Sequence, residues 1–451
     1  MARFGWNVHG DGRAPAPGQV VRPDERLSWG RTAGLGAQHV VAMFGATFVF
    51  PVIMGLDPNL SIMMSGVATI IFLLIVQGKV PSYLGTSASF VGAVAAIRAA
   101  GGDSATVTGA ILVAGAIVAI IGLVIHFAGV RLVNTLLPPV VTGAVVMLIG
   151  FNLAPVVAEV YWPQDQWVAL VTMVVVLMMA VLLRGFWSRI SIFLGLVFGY
   201  LLSWLLDVTT GPITSILPGV NGGNPVEHFR VDMAGVAEAD WFGLPQMHAP
   251  DFKTSAILLT IPAVVALVAE NTGHVKAVAE MTGTNLDRSL GRAIFADGVG
   301  TVAASSVGAS PTTTYAENIG VMAATRVYST AAYYIAALAA LVFGLCPKFG
   351  ALIAATPGGV LGGITVVLYG MIGLLGAKIW IERRVDFANP INLVPVAAGV
   401  IVGVGDVELH VTDSFVLGGI SLGTIVTIAG YHLLRALAPA HKKEQDIEAV
   451  V

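Results

Sequence analysis

A succession of apolar segments is the feature that most constrains how this chain can fold. Most of them reach the length, about 20 residues, that an α-helix needs to cross a bilayer. They also lack the ten-residue alternation that is typical of outer-membrane strands. The pattern predicts an all-α polytopic membrane protein with 14 transmembrane segments. The predicted segments are 32–54, 60–78, 87–99, 105–129, 138–158, 166–184, 190–206, 254–275, 291–307, 315–324, 328–346, 357–376, 390–405 and 415–436.

The composition is typical of an integral membrane protein. Hydrophobic residues make up 56% of the sequence and charged residues only 11%, whereas soluble domains carry about 25% charged residues. The single cysteine, Cys346, excludes a disulfide framework and a cysteine-based metal site. Residues 1–31 are polar and predict a flexible N-terminal tail rather than a cleavable signal peptide.

Two of the predicted segments, the third (87–99) and the tenth (315–324), are too short to span the membrane as helices. Each follows a polar stretch that is expected to be extended, VPSYLGTSASF at 80–90 and SVGASPTTTYAEN at 306–318. Both segments are therefore predicted to be interrupted, with irregular backbone inside the membrane.

The distribution of basic residues predicts the orientation of the chain. An even number of spans puts both termini on one side, which we take as the cytoplasm. Most of the 23 Lys and Arg residues then fall in tails or inner loops, in agreement with the positive-inside rule. Only four are predicted to lie outside: Arg98, Arg230, Lys253 and Lys348.

The two halves of the chain resemble each other. LPPVVTGAVVMLIG at 137–150 is similar to TPGGVLGGITVVLYG at 356–370, and the two short segments fall at nearly the same offset. Two halves of seven spans each must run in opposite directions across the membrane. Inverted repeats with interrupted helices at matching positions are typical of secondary transporters, whose site lies near the midplane between the breaks.

Of the 26 acidic residues, only three lie inside the predicted spans, Glu270, Asp297 and Glu317, and His39 and His274 join them. Such residues are costly in lipid and usually have a function or a partner. Glu270 and His274 are four residues apart and therefore share one helical face. Glu317 begins the tenth segment, directly after a predicted break.

These residue types indicate what the site can bind. Helix N-termini and unwound backbone offer N–H donors to carbonyl oxygens, and a carboxylate such as Glu270 accepts from N–H groups. A flat molecule with both kinds of edge, such as a nucleobase, satisfies both. This chemistry alone does not select a nucleobase over other small polar solutes.

Structural explanations compete with these functional ones. Glu270 and His274 can pair with each other, Asp297 can cap or bond backbone near a helix break, and His39 fits a hydrogen-bonded packing residue. No metal site is predicted, because zinc needs more ligands than Glu270 and His274 supply. Three further charged residues are predicted to be solvated: Arg98, Glu280 and Asp287.

Several motifs resemble the nucleobase–ascorbate transporter family. ENIGVMAATR at 317–326 fits its signature, and QHVVAMFGA at 38–46 resembles its first span. VPSYLGTSASF, AENTGH at 269–274 and TTYAENIGVM at 313–322 are similar to the bacterial uracil permease branch. The resemblance runs from about residue 22 to 436, with the motifs in the family's order.

The resemblance implies seven plus seven inverted spans in two domains, one moving against the other, and proton-coupled uptake by a homodimer in the bacterial inner membrane. The partners implied are a nucleobase such as uracil, a proton and the lipid bilayer; no cofactor and no nucleic acid are implied. The implied organisation is an N-terminal tail (1–31), core domain (32–135 and 254–350), gate domain (136–210 and 351–437), external loop (211–253) and C-terminal tail (438–451).

The resemblance also implies residue roles. Glu270 and Glu317 match the carboxylates that hold the base, and His274 matches a histidine tied to coupling. The full implied set is Glu270, Glu317, Ala88, Ala316, Tyr315 and Tyr369 for the substrate, with main-chain contacts at the two alanines, and His274, Glu270, Glu317 and Asp297 for the proton.

The substrate prediction rests on three of these positions. His274 and Glu317 agree with uracil-type members, whereas purine members tend to have Asp and Gln there. Asp297 departs from this pattern, because purine carriers have Asp at that position. Thymine or a purine such as xanthine therefore stays open as a substrate.

Three other classes of protein compete with a nucleobase symporter. An anion exchanger of the same architecture needs a positive pocket, and no buried Arg or Lys is predicted in the spans. A channel seldom needs mobile inverted repeats. An enzyme is not expected, because the sequence has no nucleophile–base set, phosphate-binding loop or metal cluster.

Overall fold

The computed structural model describes residues 5–13, 15, 19–129, 135–217, 223–412 and 415–439. The predicted C-terminal tail lies almost entirely outside these residues, and the predicted N-terminal tail lies partly outside them. The elements up to residue 250 are β1 (Asn7–Val8), β2 (Glu25–Arg26), α1 (Trp29–Met54), α2 (Pro58–Ile75), β3 (Leu84–Thr86), α3 (Val91–Ala99), α4 (Ser104–Ala128), α5 (Pro139–Phe151), α6 (Gln166–Leu182), α7 (Phe186–Arg189), α8 (Ser191–Thr210), β4 (Ile213–Ser215), β5 (Val226–His228) and α9 (Ala234–Glu238).

The remaining elements follow without long irregular stretches. They are α10 (Thr254–Thr282), α11 (Asp287–Ser305), β6 (Thr312–Thr314), α12 (Ala316–Thr325), α13 (Thr330–Gly344), α14 (Pro347–Ala354), α15 (Gly358–Glu382), α16 (Pro390–Val404), β7 (Leu409–Thr412), β8 (Phe415–Leu417) and α17 (Gly419–Leu437).

The described helices make this a multi-pass membrane protein. Eight of the described helical stretches are long and apolar enough to cross a bilayer, and one of them, Pro139–Gln164, consists of α5 and the helical turns that continue it through Val156–Tyr161 and Trp162–Gln164. In addition, α13 and α14 form a pair bent by 84°. Apolar helices of 10–17 residues lie at Ala88–Ala99, Gln166–Leu182 and Pro390–Val404. Short helices thus stand at both predicted interruptions, as α3 and α12. The count of fourteen spans in two inverted repeats stays a prediction.

The helices pack in two groups. In the first, α4 lies along α11 and α10, and α2 lies along α13 and α11; in the second, α15 lies against α5 and α6, and α16 against α17. Glycine permits the closest approach: a Cβ at Gly122 would overlap the backbone of Phe295, and one at Gly298 would overlap the backbone of Ala119. Small residues at such contacts let membrane helices pack backbone to backbone.

A buried strand pair connects the two halves of the chain. β3 and β6 are antiparallel, with Leu84 opposite Thr314, Gly85 opposite Thr313 and Thr86 opposite Thr312, and every residue of both strands is buried. Non-helical backbone at membrane depth is tolerated only where its polar groups are satisfied within the protein. The pairing satisfies them, and the Thr69 hydroxyl accepts from the Leu84 amide at 2.9 Å.

The prediction of a flexible N-terminal tail is wrong for part of the described segment. Val21 donates to the Arg326 carbonyl at 2.9 Å and accepts from the Tyr328 amide at 2.8 Å. The indole of Trp6 donates to Thr330 Oγ1 at 2.8 Å. The segment therefore packs on the connection between α12 and α13, and its apolar residues supply the buried contacts that a solvated tail would lack.

The long loop 211–253 is attached to both groups of helices. Arg230, whose side chain is 11% exposed, forms ion pairs with Asp165 at 2.7 Å and with Asp207 at 3.1 Å. Asp165 directly precedes α6, and Asp207 lies near the end of α8. Further along the loop, the carbonyl of Val236 accepts from Lys348 Nζ at 2.9 Å.

Arg98 is not the solvated loop residue that the sequence predicted. Its guanidinium donates to the Gly55 carbonyl at 3.0 Å and to Ser104 Oγ at 2.8 Å. Arg98 therefore ties the end of α3 to the end of α1, where unpaired carbonyls and the helix dipole favour a cation.

Candidate functional site

The two strand-to-helix junctions form one wall of the site. After β3 the chain makes a 3₁₀ turn, Ala88–Phe90, that leads into α3; after β6 it passes through Tyr315 into α12. The Ser87 amide donates to the Pro311 carbonyl at 2.9 Å and the Tyr315 amide to the Tyr83 carbonyl at 3.0 Å. These bonds extend the strand pair and hold the two helix starts side by side.

The main chain at Ala88 and Ala316 stands at these two starts. Both residues are half-buried rather than enclosed, and each is the first residue of a helical turn. The first N–H groups of a helix have no partner within it. The junctions therefore place main-chain N–H groups at these two positions, and the substrate contacts of both alanines stay a prediction.

Helix α10 brings the predicted polar residues to this wall. Ser89 Oγ, from the 3₁₀ turn, donates to a carboxylate oxygen of half-buried Glu270 at 3.3 Å. His274 Nδ1 lies 2.8 Å from Thr314 Oγ1 of β6. Glu270 and His274 thus make their hydrogen bonds to the two strand segments, and no ion pair joins them among the described residues.

Glu317 lies in the first turn of α12 and is exposed. The sequence predicted a water-poor cavity around Glu270 and Glu317; in this structure the space at Glu317 is open instead. Beside it, a Cβ at Gly320 or at Gly273 of α10 would meet no atom within 4 Å. Free space therefore adjoins both helices on the turns that carry the carboxylates.

Asp297 is fully buried on α11. The structural alternative for Asp297 was a bond to backbone near a helix break, but one carboxylate oxygen accepts instead from the side-chain amide of Asn271. Its role in proton coupling stays a prediction. Asn271 Oδ1 in turn accepts from Thr314 Oγ1 at 3.0 Å. Asp297 is therefore joined to His274 through two neutral side chains.

The two predicted tyrosines differ in their surroundings. Tyr315 donates through its hydroxyl to the Thr86 carbonyl at 2.8 Å, so it braces the strand pair. Tyr369 of α15 is buried and lies parallel to Phe50 with 6.2 Å between ring centroids. Its hydroxyl has no hydrogen-bond partner among the described residues. The residue borders a cavity of about 470 Å³ that lies between α15 and the stretch 150–162 at and beyond the end of α5.

His39 is a hydrogen-bonded packing residue, as predicted. Its ring nitrogen and its carbonyl both lie near Asn318 Nδ2, at 3.1 and 3.0 Å, and its ring stacks near Tyr333 with 4.2 Å between centroids. Asn318, the second residue of the signature motif, therefore anchors α12 to α1.

Sequence reasoning missed the hydroxyl and amide residues of the site, Ser89, Asn271 and Thr314. Asn271 was visible as a polar residue beside Glu270 in a span, but Ser and Thr are common in membrane helices and give no signal alone. Among the described residues no group of three His, Cys, Asp or Glu can hold a metal ion.

Two known permeases are similar to this chain over nearly its full length. The chain is 45% identical over 444 residues to "Putative pyrimidine permease RutG" of Escherichia coli (strain K12), covering 97% of this chain and 96% of that protein. It is 35% identical over 443 residues to the uracil permease of Bacillus caldolyticus, covering 95% and 96%.

A solved structure supports the architecture. The murine Solute Carrier 26 family member A9 anion transporter, in an inward-facing state, aligns with a TM-score of 0.64 at 12% identity, covering 92% of this chain and 70% of that one. At that identity the likeness concerns the fold alone.

The family follows from the sequence itself. The model described as "Permease family" matches residues 30–412, most of the chain. The relatives are named as permeases and not as enzymes. Together with the motifs at the two junctions, these matches show that the chain belongs to the nucleobase–ascorbate transporter family of membrane permeases.

Proposed function

We propose that this protein takes up uracil, or a similar pyrimidine such as thymine, by proton-coupled secondary active transport. The observation that carries the proposal is the site itself: Glu270 and Glu317 flank two helix starts that the buried strand pair holds together. The names of the relatives, uracil and pyrimidine permeases, support the same substrate class.

The recognition chemistry follows from the edges of the base. Uracil alternates N–H and C=O groups around a planar ring. Glu270 accepts from an N–H group, and the main-chain amides near Ala88 and Ala316 donate to carbonyl oxygens. Glu317 contacts the other edge of the ring, and Tyr369 borders it from α15. Charged acceptors make the stronger hydrogen bonds in such a set.

Movement is assigned to the two groups of helices. We assign 32–135 and 254–350 to a core domain that carries the base, and 136–210 and 351–437 to a gate domain. The packing of α4 with α11 and of α5 with α15 supports this division, because each pair lies within one domain. The core domain then moves past the gate domain in an elevator-like manner, within two inverted seven-span repeats.

A proton supplies the driving force. Uracil is neutral at pH 7, so the membrane potential does not act on it alone. Two nearby carboxylates repel each other when both are charged, and a proton held by Glu270, Glu317 and His274 relieves this repulsion in the loaded carrier. One charge moved through 100 mV yields about 2.3 kcal/mol, or roughly 50-fold accumulation.

The setting proposed is the bacterial inner membrane, with both termini cytoplasmic and two copies of the chain forming a homodimer. The loop 211–253 then lies outside the cell. The acidic and aromatic character of this loop, with Trp241 and Phe242 more than three-quarters exposed, fits the membrane–water interface.

A purine such as xanthine is the second candidate substrate, and Asp297 is the observation that favours it. An anion exchanger has the fold likeness in its favour, but carboxylates rather than cations stand at this site. These alternatives share the architecture and differ in what they carry.

Uptake of labelled uracil into proteoliposomes tests the proposal. An inwardly directed proton gradient should drive accumulation above the external concentration, and a protonophore should abolish it. Accumulation that the protonophore does not change would reject proton coupling. Anion flux without uracil uptake would favour the anion exchanger. Competition by thymine, cytosine, xanthine and ascorbate then ranks the substrates.

A further inference from the structure

A chain of four side chains runs from α11 through α10 to β6 and returns to α10. It begins at Asp297, which is 0% exposed, and passes through Asn271 and Thr314 to His274. Asp297 uses one carboxylate oxygen in this chain, and its other oxygen has no partner among the described residues. A buried carboxylate with so few partners is costly, which points to a role beyond packing.

Asn271 determines which side chains donate and which accept in this hydrogen-bonded series. Its Nδ2 donates to Asp297, and the same nitrogen lies 3.3 Å from the carbonyl oxygen of Leu267. Both amide hydrogens therefore have acceptors, and Oδ1 is left to face Thr314. A turned amide would place Oδ1 against the Leu267 carbonyl, oxygen to oxygen, so the observed orientation is the stable one.

The orientation of Asn271 in turn determines the donor and acceptor roles of Thr314 and His274. Thr314 Oγ1 has a single hydrogen, and it donates this hydrogen to Asn271 Oδ1 at 3.0 Å. At the 2.8 Å contact between Thr314 Oγ1 and His274 Nδ1, the hydroxyl oxygen can only accept. Nδ1 must therefore carry the hydrogen, and in the neutral imidazole Nε2 is left with a lone pair.

We propose that Asp297 is a positioning residue: acting through Asn271 and Thr314, it fixes His274 as the Nδ1–H tautomer and keeps Nε2 as an acceptor. His274 lies one helical turn after Glu270, on the same face of α10. The site then has two acceptors on one helix, which suits a substrate edge with N–H groups or a proton delivered to the ring. This inference rests on the proposed function for the identity of the substrate, whereas the tautomer stands without it.

The experiment reads the tautomer directly. The protein is labelled with ¹⁵N-histidine and placed in lipid nanodiscs, and the ring-nitrogen signals of His274 are assigned by their loss in His274→Gln. Wild type should show hydrogen on Nδ1. Thr314→Val removes both roles of the hydroxyl at nearly constant volume and should release the ring into the other tautomer or a mixture. Thr314→Ser should restore the wild-type signals.

Two further variants test the far end of the chain. Asp297→Asn keeps an acceptor oxygen for Asn271 and should keep the Nδ1–H tautomer, whereas Asp297→Leu should lose it. The control is Thr313→Val, one residue away in the same strand, because the buried Thr313 hydroxyl has no partner among the described residues. If Asp297→Leu fails to fold, the comparison of Thr314→Val with Thr313→Val still decides.

Binding of uracil to the same samples separates this inference from the proposed function. Thr314→Val should weaken binding about three- to tenfold, the range for a single lost hydrogen bond, and Thr313→Val should not. Hydrogen on Nε2 in wild type, or an unchanged tautomer in Thr314→Val, overturns the inference even if uracil binds. An Nδ1–H tautomer in a protein that does not bind uracil would instead overturn the proposed function.

Discussion

Glu270 keeps a 3.3 Å contact with Ser89 Oγ, a long hydrogen bond to a neutral donor. A substrate N–H group that replaced this contact would improve it, because the carboxylate would gain a shorter, better aligned donor. The protein itself therefore satisfies the Glu270 carboxylate only weakly, which favours the binding of a substrate N–H group.

Glu270→Gln should weaken uracil binding about tenfold or more, because the amide loses the charge that strengthens hydrogen bonds to an acceptor. Isothermal titration of purified protein measures the change. Glu280→Gln is the matched control, since Glu280 lies on the same helix and is exposed. Equal affinity of wild type and Glu270→Gln would remove Glu270 from the binding set.

Gly85 of β3 is a second residue on which the site depends. A Cβ there would stand 2.5 Å from both Thr47 Oγ1 and the Tyr315 ring. Gly85→Ala should therefore destabilise the protein by about 1–3 kcal/mol, the usual range for overpacking, and lower the melting temperature in detergent. Gly34→Ala is the control and should leave the melting temperature unchanged, because Gly34 is an exposed residue of α1 with open space around it. A Gly85→Ala protein as stable as wild type would refute the close approach at Gly85.

At this scale the sequence predicted part of the site, and the limits have physical causes. Spacing of four placed Glu270 and His274 on one face, and the short tenth segment placed Glu317 at a helix start. The contact of Asn271 with Asp297 joins two helices, and helical periodicity does not tell which faces meet. The openness around Glu317 depends on how those helices stand apart, which the pattern of one segment does not contain.

Among the described elements, α4 and α11 have the most extensive contact, and glycines on each make it possible. Gly115 and Gly122 of α4 lie opposite Gly298 and Gly291 of α11, and each would place a Cβ against the partner's backbone or against a side chain that contacts it. Hydropathy alone predicted α4 well. It did not predict that glycine rather than leucine would determine the partner.

Gly122→Ala tests that contact against intrinsic propensity. Alanine favours a helix over glycine by about 1 kcal/mol, so a net loss of stability can come only from packing. We expect a lower melting temperature, because the Phe295 backbone cannot move aside as a side chain can. Ile120→Val on the same helix, where the side chain is 60% exposed, serves as the control. A stabilised Gly122→Ala protein would mean that the two helices stand farther apart.

Across the whole molecule, the loop 211–253 connects the two groups of helices by more than chain continuity. Arg230 fastens its first part near α6 and α8, and Lys348 holds the carbonyl of Val236. Only residues 231–235 lie between these two attachments. Any movement of one group past the other must be absorbed by this short connector or must break one attachment.

Arg230→Ala should cost about 3–5 kcal/mol, because it leaves Asp165 and Asp207, 12% and 8% exposed, without their cation. Thermal unfolding followed by tryptophan fluorescence measures the loss. Lys253→Ala should remain close to wild type, since the pair of Lys253 with Asp251 spans 3.8 Å between side chains that are more than half exposed. Similar melting temperatures for both variants would show that the loop is not fastened at Arg230.

The pairing of β3 with β6 has a consequence for how the protein is made. A ribosome releases Leu84–Thr86 more than two hundred residues before Thr312–Thr314. During that interval the amides and carbonyls of β3 lack their hydrogen-bond partners in β6. Unsatisfied backbone groups have a high free-energy cost in the hydrocarbon core of a bilayer. The nascent first half must therefore keep this stretch in contact with water, the translocon or a chaperone, and the candidate site is completed only late in synthesis.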